Sequence, residues 1–277
     1  MQETTARIVQ SISSARQSKQ PARLGYGIAY APHLVHNRLT GSMSGRDTTA
    51  RFIKIEQESG KTAVFTTFSA HPTILPSMAP VLSRDYPGEF VDRLEKEVDF
   101  AAFAAGAVGS HGVVPPYGDT FESTAEVGQQ LAKAVLQELP EVLMRDTATI
   151  GFARLVLELP KPQWRLNTTQ HFAPFLFYSL FGKYPAFVNS LQLGNTILLG
   201  VPADYSGELL PALERQALVQ GQQVMVTGFN GGYIGYITPD KYYELKKYET
   251  QSMNFYGPQS GSYLTEILQR ILLLYKQ

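Results

Sequence analysis

Residues 63–105 read AVFTTFSAHPTILPSMAPVLSRDYPGEFVDRLEKEVDFAAFAA, and their pattern decides the fold class. The first eight, 63–70, form a short run of β-branched, aromatic and small residues, as a strand buried in a sheet requires. After Pro87, apolar side chains recur as Phe90, Val91, Leu94 and Val98, the spacing of one helical face. Residues 100–105 then return to a short apolar run. Strand, helix and strand in succession predict an α/β layer fold.

The same alternation extends outward in both directions. Helical stripes occur at Ile8, Val9 and Ile12, at Val127, Leu131 and Val135, at Leu209, Leu210, Leu213 and Ala217, and at Leu264, Ile267, Leu268, Ile271 and Leu272. Each stripe is expected to pack one helix face onto a sheet. Further apolar runs at 153–159, 196–201 and 223–229 read as buried strands. The expected architecture is α/β, a mixed β-sheet layered with α-helices. There is no internal repeat, and the Pro-containing stretch 159–163 is too short for a linker, so residues 1–277 are read as a single domain.

Composition excludes several classes of function. The 24 Lys+Arg balance 24 Asp+Glu, which leaves no basic field to attract a phosphate backbone, so no nucleic-acid partner is expected. With no cysteine, disulfides, thiol catalysis and Cys-based metal sites are excluded. No export signal is visible at the N-terminus, which leaves the compartment open. The apolar run 172–181 (FAPFLFYSLF) is about half the ~20 residues of a spanning helix and contains Pro174.

Chemistry is concentrated just after the apolar runs. His71 follows 63–70, the glycine-rich segment 106–112 follows 100–105, Asp204 follows 196–201, and 230–233 follows 223–229. In open α/β sheets the loops at the carboxyl ends of strands converge on one rim, where ligands bind. Pro72 holds His71 extended, so a neutral imidazole there could ligate a divalent metal with Asp204 supplying an oxygen from another strand end. A hydrogen-bonded structural histidine is the other reading of the same residue. Segment 106–112 carries Ser110, but it lies in neither a G-x-S-x-G elbow nor a P-loop, and its glycines fit a plain tight turn as well. The dense tyrosines after 230, namely Tyr233, Tyr236, Tyr242, Tyr243 and Tyr248, suit ring packing as well as metal or substrate contact.

Taken together, Gly231-Gly232-Tyr233-Ile234-Gly235-Tyr236-Ile237-Thr238-Pro239, Tyr243, Lys247-Tyr248-Glu249 and Phe255-Tyr256-Gly257-Pro258 resemble the neutral/alkaline (non-lysosomal) ceramidase family in its C-terminal block N-x-Y-x-x-Y-[IV]-T-T…Y…R-Y-E…[LI]-[FY]-G-P. Upstream, Asn37-Arg38, His71-Pro72-Thr73, Ser83-Arg84-Asp85-Tyr86-Pro87-Gly88 and Val201-Pro202-Ala203-Asp204 resemble further family elements, so the likeness runs from about residue 23 to 268. The resemblance implies a zinc-dependent amidase that splits the N-acyl bond of ceramide or a related lipid amide. It implies His71 and Tyr236 as zinc ligands, Asp204 in the place of a zinc-binding glutamate, Tyr248 as a phenol near the scissile amide, and Arg38 as a substrate contact.

Two departures bear on those expectations. The family's other zinc histidine lies in a T-H-T-H segment ahead of the first helix, and this sequence starts after it, so the site is expected to be N-terminally incomplete unless His36 or His111 substitutes. The family's catalytic serine loop, G-[DN]-x-S-P-N, falls near 109–112, where Ser110 is the nearest candidate and is out of register with the motif serine. The implied partner is a ceramide-like lipid amide, with the run 172–181 offering an acyl-chain site or shallow contact with a membrane surface. The alternatives are an incomplete or degenerate member with a binding role, and a metal-dependent hydrolase of another small amide or ester.

Overall fold

The computed structural model describes residues 2–41, 45–167 and 169–275. Their strands are β1 (Ala22–Tyr30), β2 (Val35–Asn37), β3 (Thr49–Gln57), β4 (Thr62–Phe68), β5 (Phe100–Ala105), β6 (His111–Val113), β7 (Ile150–Val156), β8 (Phe187–Leu193), β9 (Thr196–Gly200), β10 (Asp204–Tyr205), β11 (Gln223–Thr227) and β12 (Tyr236–Ile237). The α-helices are α1 (Gln2–Gln17), α2 (Asp85–Leu94), α3 (Phe121–Glu138), α4 (Pro174–Phe181), α5 (Leu210–Val219) and α6 (Ser260–Leu272). The α/β expectation holds, with the strands divided between two four-stranded mixed sheets and two short strand pairs.

The two large sheets repeat one pattern. In the first, ordered β1-β3-β4-β5, the pair β4 and β5 is parallel and the remaining neighbours are antiparallel. In the second, ordered β11-β9-β8-β7, the pair β9 and β11 is parallel and the others antiparallel. The Gly228 N–H donates to the Ala105 carbonyl at 2.8 Å, joining the end of β11 to the end of β5. The carboxyl ends of β4, β5, β9 and β11 therefore meet at one seam, which is where the functional loops begin.

Each sheet carries its own core. Helices α2 and α3 pack on the first through Phe90, Leu94, Val127, Leu131 and Val135, against Phe52, Val64 and Phe68. Helices α5 and α6 cover the second through Leu213, Ala217, Leu264 and Leu268, against Val188, Ile197 and Leu199. Burying such a side chain fully contributes about 1.5–3 kcal/mol, so these stripes fix the helices to their sheets.

Two expectations need correction. The stripe on α1 does not pack: Ile8, Val9 and Ile12 are 56%, 56% and 64% exposed, and neither hydrophobic core includes a residue of this helix. The strand expected over 153–159 is displaced to Ile150–Val156, with Leu157 N–H still donating to Ala186 O at 2.8 Å beyond its end. In the run 172–181, Phe177 is core while Phe175 and Leu180 face outward. No described helix is long and apolar enough to cross a membrane.

Candidate functional site

The sequence brings His71 to the seam in a fixed pose. Its backbone N–H donates to His111 O at 3.2 Å and it bridges to Gly112, so the segment after β4 is stitched to β6. The Tyr86 hydroxyl, buried under α2, donates to Ala70 O at 2.5 Å and anchors the residue just before it. The His71 imidazole Nε2 then lies 3.1 Å from Asp204 Oδ1, with Nδ1 buried and without a hydrogen-bond partner.

Asp204 and Tyr236 are delivered by the short parallel pair β10–β12, in which they are direct register partners. Asp204 N–H donates to Gly235 O at 3.0 Å. On its other side Gly109 presses against the Asp204 backbone so closely that a Cβ there would lie 2.1 Å from the Asp204 carbonyl oxygen, and only glycine fits. The glycine-rich turn after β5 is thus a packing device for the neighbouring strand end. The Tyr236 ring stacks beside His71, with centroids 6.4 Å apart and planes 18° apart. Burial, and then the nearby Asp204 charge, push the Tyr236 phenol up to about 12, while its hydrogen bond from Arg38 pulls the other way.

Arg38 enters from the end of β2, where its N–H donates to Ser110 O at 2.8 Å. Its Nη2 reaches the Tyr236 hydroxyl at 3.4 Å, and its Nε lies 3.1 Å from Glu249 Oε1. Tyr248 stands edge-on to Tyr236, with ring centroids 5.7 Å apart, and is 56% exposed. It opens a π-helical turn, Tyr248–Ser252, in which Met253 N–H donates to Tyr248 O at 2.9 Å. Such turns recur at functional sites because they aim one side chain out of regular register. Below the turn Arg165 donates to the Tyr243 and Thr250 carbonyls, both at 2.5 Å, clamping the segment that carries Tyr248 and Glu249.

Of the six residues singled out from the sequence, the structure brings His71, Asp204, Tyr236, Arg38 and Tyr248 together at this seam. Ser110 lies behind them: it is fully buried and its hydroxyl shares a hydrogen bond with that of Ser206. His111 is also buried and turned away, its Nε2 lying 3.3 Å from both Gly45 O and Asp47 N. His36 sits on β2 opposite Gly112, its pKa lowered by burial and by Arg38. Asn37, adjacent to Arg38, is a structural anchor whose amide donates to Glu208 Oε1 at 2.9 Å.

Two participants were given no individual role in the sequence reading. Tyr233 donates to Asp204 Oδ2 at 2.6 Å, and Glu249 pairs with Arg38. Their signal was adjacency: Tyr233 lies one spacing of three before Tyr236, and Glu249 follows Tyr248. Phe229 closes the cluster, 6.2 Å from both the His71 and Tyr233 rings, in a left-handed conformation (φ 58°) that is rare for a bulky residue. Beside Tyr233 opens a groove of about 830 Å³, walled by Phe177, Phe181, Tyr184, Ile234 and Phe255. Polar cluster and apolar groove therefore share one wall.

The backbone matches that of the crystal structure of neutral ceramidase from Pseudomonas aeruginosa with a TM-score of 0.80 over 97% of this chain, at 17% sequence identity. A structure described as ceramidase complexed with C2 matches with a TM-score of 0.77 over 96% of the chain, at 18% identity. The chain covers 54% and 55% of those two proteins, about half of each. No protein-family model matches the sequence, and no curated protein does. At this identity the likeness establishes a shared fold.

Proposed function

We propose that this chain carries the site of a ceramidase-like, zinc-dependent amidohydrolase that cleaves the N-acyl bond of ceramide or a related lipid amide. The observation that carries this reading is the meeting of His71, Asp204 and Tyr236 beside an apolar groove. The shared ceramidase fold supports it. Among the described residues no group of three or more His, Cys, Asp or Glu side chains could hold a metal ion, and in the reading proposed here the Tyr236 phenol is the third donor. One imidazole nitrogen, one carboxylate oxygen and one phenol oxygen form an N/O donor set that would suit zinc. His71, Asp204 and Tyr236 would hold the ion. When bound, zinc supplies Lewis-acid polarisation of a carbonyl and lowers the pKa of a water to about 7.

The remaining residues divide the other tasks. Arg38, held between Tyr236 and Glu249, keeps a positive charge beside the cluster and orients a polar substrate group. Tyr248, exposed beside Tyr236, can donate its O–H to the oxyanion that develops on the amide oxygen. Its position on a clamped π-turn means that little reorganisation is needed at the moment of reaction. Ser110 would have to leave Ser206 and emerge from full burial to attack a substrate, so water is the better nucleophile for this geometry. Replacing Tyr236 with Phe is expected to weaken zinc binding about tenfold or more and to lower turnover of a long-chain N-acyl amide. Unchanged zinc affinity and turnover would reject the assignment.

The groove suits the hydrocarbon part of such a substrate, since its aromatic and aliphatic walls exclude water. The outer face of α4 presents Phe175 and Leu180, 72% and 62% exposed, as a shallow contact for a lipid surface. Phe175→Asp combined with Leu180→Asp is expected to reduce binding to zwitterionic phospholipid vesicles several-fold with an unchanged melting curve. Vesicle binding equal to that of the parent chain would exclude this contact. Phe177→Asp is no substitute in that test, because Phe177 is 4% exposed and a charge there would unfold the region.

A further inference from the structure

A carboxylate on a strand end can rotate about its terminal bond, so its usefulness depends on what fixes each oxygen. In Asp204 both oxygens are assigned. Oδ1 lies 3.1 Å from His71 Nε2, and Oδ2 accepts the Tyr233 hydroxyl at 2.6 Å. The backbone of Asp204 is held by Gly235 and by the close approach of Gly109, neither of which sets the rotation of the carboxylate. On the side away from His71, that task falls to Tyr233.

Tyr233 is itself well supported. Gly231 and Gly232 before it adopt φ of 88° and 119°, a turn that other residues enter only with strain. Gly231 O accepts the Phe187 N–H at 2.9 Å, and Ile234 N–H donates to Pro202 O at 2.7 Å, so the turn is tied on both sides. The ring stacks on Phe229 with centroids 6.2 Å apart and planes 29° apart. The same ring lines the apolar groove with Phe177, Phe181 and Ile234.

We propose that Tyr233 is a positioning residue joining the two halves of the site: its hydroxyl fixes the Asp204 carboxylate toward His71, while its ring forms the wall on which a hydrocarbon chain in the groove rests. The consequences for zinc and for an acyl chain rest on the function proposed above, whereas the orientation of Asp204 does not.

Tyr233→Phe removes the hydroxyl and keeps the ring, and Tyr233→Ala removes both. Three measurements separate the roles: crystal structures of the metal-free parent and Tyr233→Phe chains, zinc affinity by competition with a chromophoric chelator, and binding of a fluorophore-labelled dodecanoic acid. In Tyr233→Phe the Asp204 carboxylate is expected to turn away from His71 Nε2 and the zinc dissociation constant to rise about tenfold, as for loss of an outer hydrogen bond to a ligand. Its melting temperature and probe affinity should stay at parent values, while Tyr233→Ala should also lose probe affinity. An unmoved Asp204 in Tyr233→Phe would overturn the positioning role. Probe binding by Tyr233→Ala equal to the parent's, or no binding by the parent, would overturn the groove role. If the parent chain takes up no zinc, the proposed function fails, and the two crystal structures still decide the role of Tyr233.

Discussion

Replacing His71 with alanine is expected to abolish zinc uptake by the chain and to lower hydrolysis of a long-chain N-acyl amide by about a thousandfold, the loss of several kcal/mol of charge stabilisation in the transition state. The size of the effect follows from the donor count. In the proposed set His71 would be the single nitrogen donor, and its removal would leave only the Asp204 carboxylate and the Tyr236 phenol. Burial and the Asp204 charge push that phenol up to about 12, so by itself it offers a protonated, weak ligand at neutral pH. The fold should survive, since His71 is partly exposed and no hydrophobic core includes it. Elemental analysis of the purified parent and variant, each incubated with zinc, provides the check. One zinc per parent chain and none in the variant supports the proposal. No zinc in the parent, or equal zinc in both, sinks it and favours a binding role for the retained fold.

The largest expected effect on stability lies away from the cluster, at Arg51. This guanidinium is buried on β3 and holds Asp47 through Nη1 to Oδ2 at 2.8 Å and Nη2 to Oδ1 at 3.1 Å, while also donating to Glu214 Oε1. Ser69 adds a hydrogen bond to Asp47 Oδ2 at 2.5 Å. Arg51→Met leaves Asp47 as a buried charge without its cation and is expected to cost about 3–5 kcal/mol in denaturant unfolding. The pH dependence has a definite sign. Burial alone would raise the Asp47 pKa, but the Arg51 charge and the hydrogen bonds from Arg51 and Ser69 outweigh it and hold the carboxyl below its usual range. Its contribution is complete above the ordinary carboxylate pKa of about 3.9 and is lost as pH falls through the lower native value. In the variant, burial dominates and favours the neutral acid. The stability gap between parent and variant should therefore be widest near neutrality and narrow below about pH 4. A gap under 1 kcal/mol, or one that does not change with pH, would show that this network contributes little.

How much of this was legible beforehand differs between fold and site. The runs at 63–70, 100–105, 196–201 and 223–229 became β4, β5, β9 and β11, the strands of the two parallel pairs, because strands in parallel pairing read as short continuous apolar runs. Strands β1, β3 and β8 were missed. In β1 the glycines Gly25 and Gly27 break the pattern, and they are needed because a Cβ would strike Val142 and Phe52. In β3 Arg51 and Lys54 interrupt it, and Arg51 is tolerated there only through its carboxylate partners.

What the sequence by itself determined is the layer class, the strand ends at which polar residues would gather, and the candidates His71, Asp204, Tyr236, Tyr248 and Arg38. Short-range periodicity and the residue types after each run carry the layer class, His71 and Asp204, whereas Tyr236, Tyr248 and Arg38 rest on the family resemblance. Only the tertiary structure decided that β4 and β5 meet β9 and β11 at one seam, which places His71 within 3.1 Å of a carboxylate 133 residues away. It also placed Ser110 in the interior against Ser206, exposed the α1 stripe, and gave Tyr233 both a carboxylate and a groove to face. Those outcomes depend on which distant surfaces are brought into contact, and local spacing carries no record of the partner across a seam.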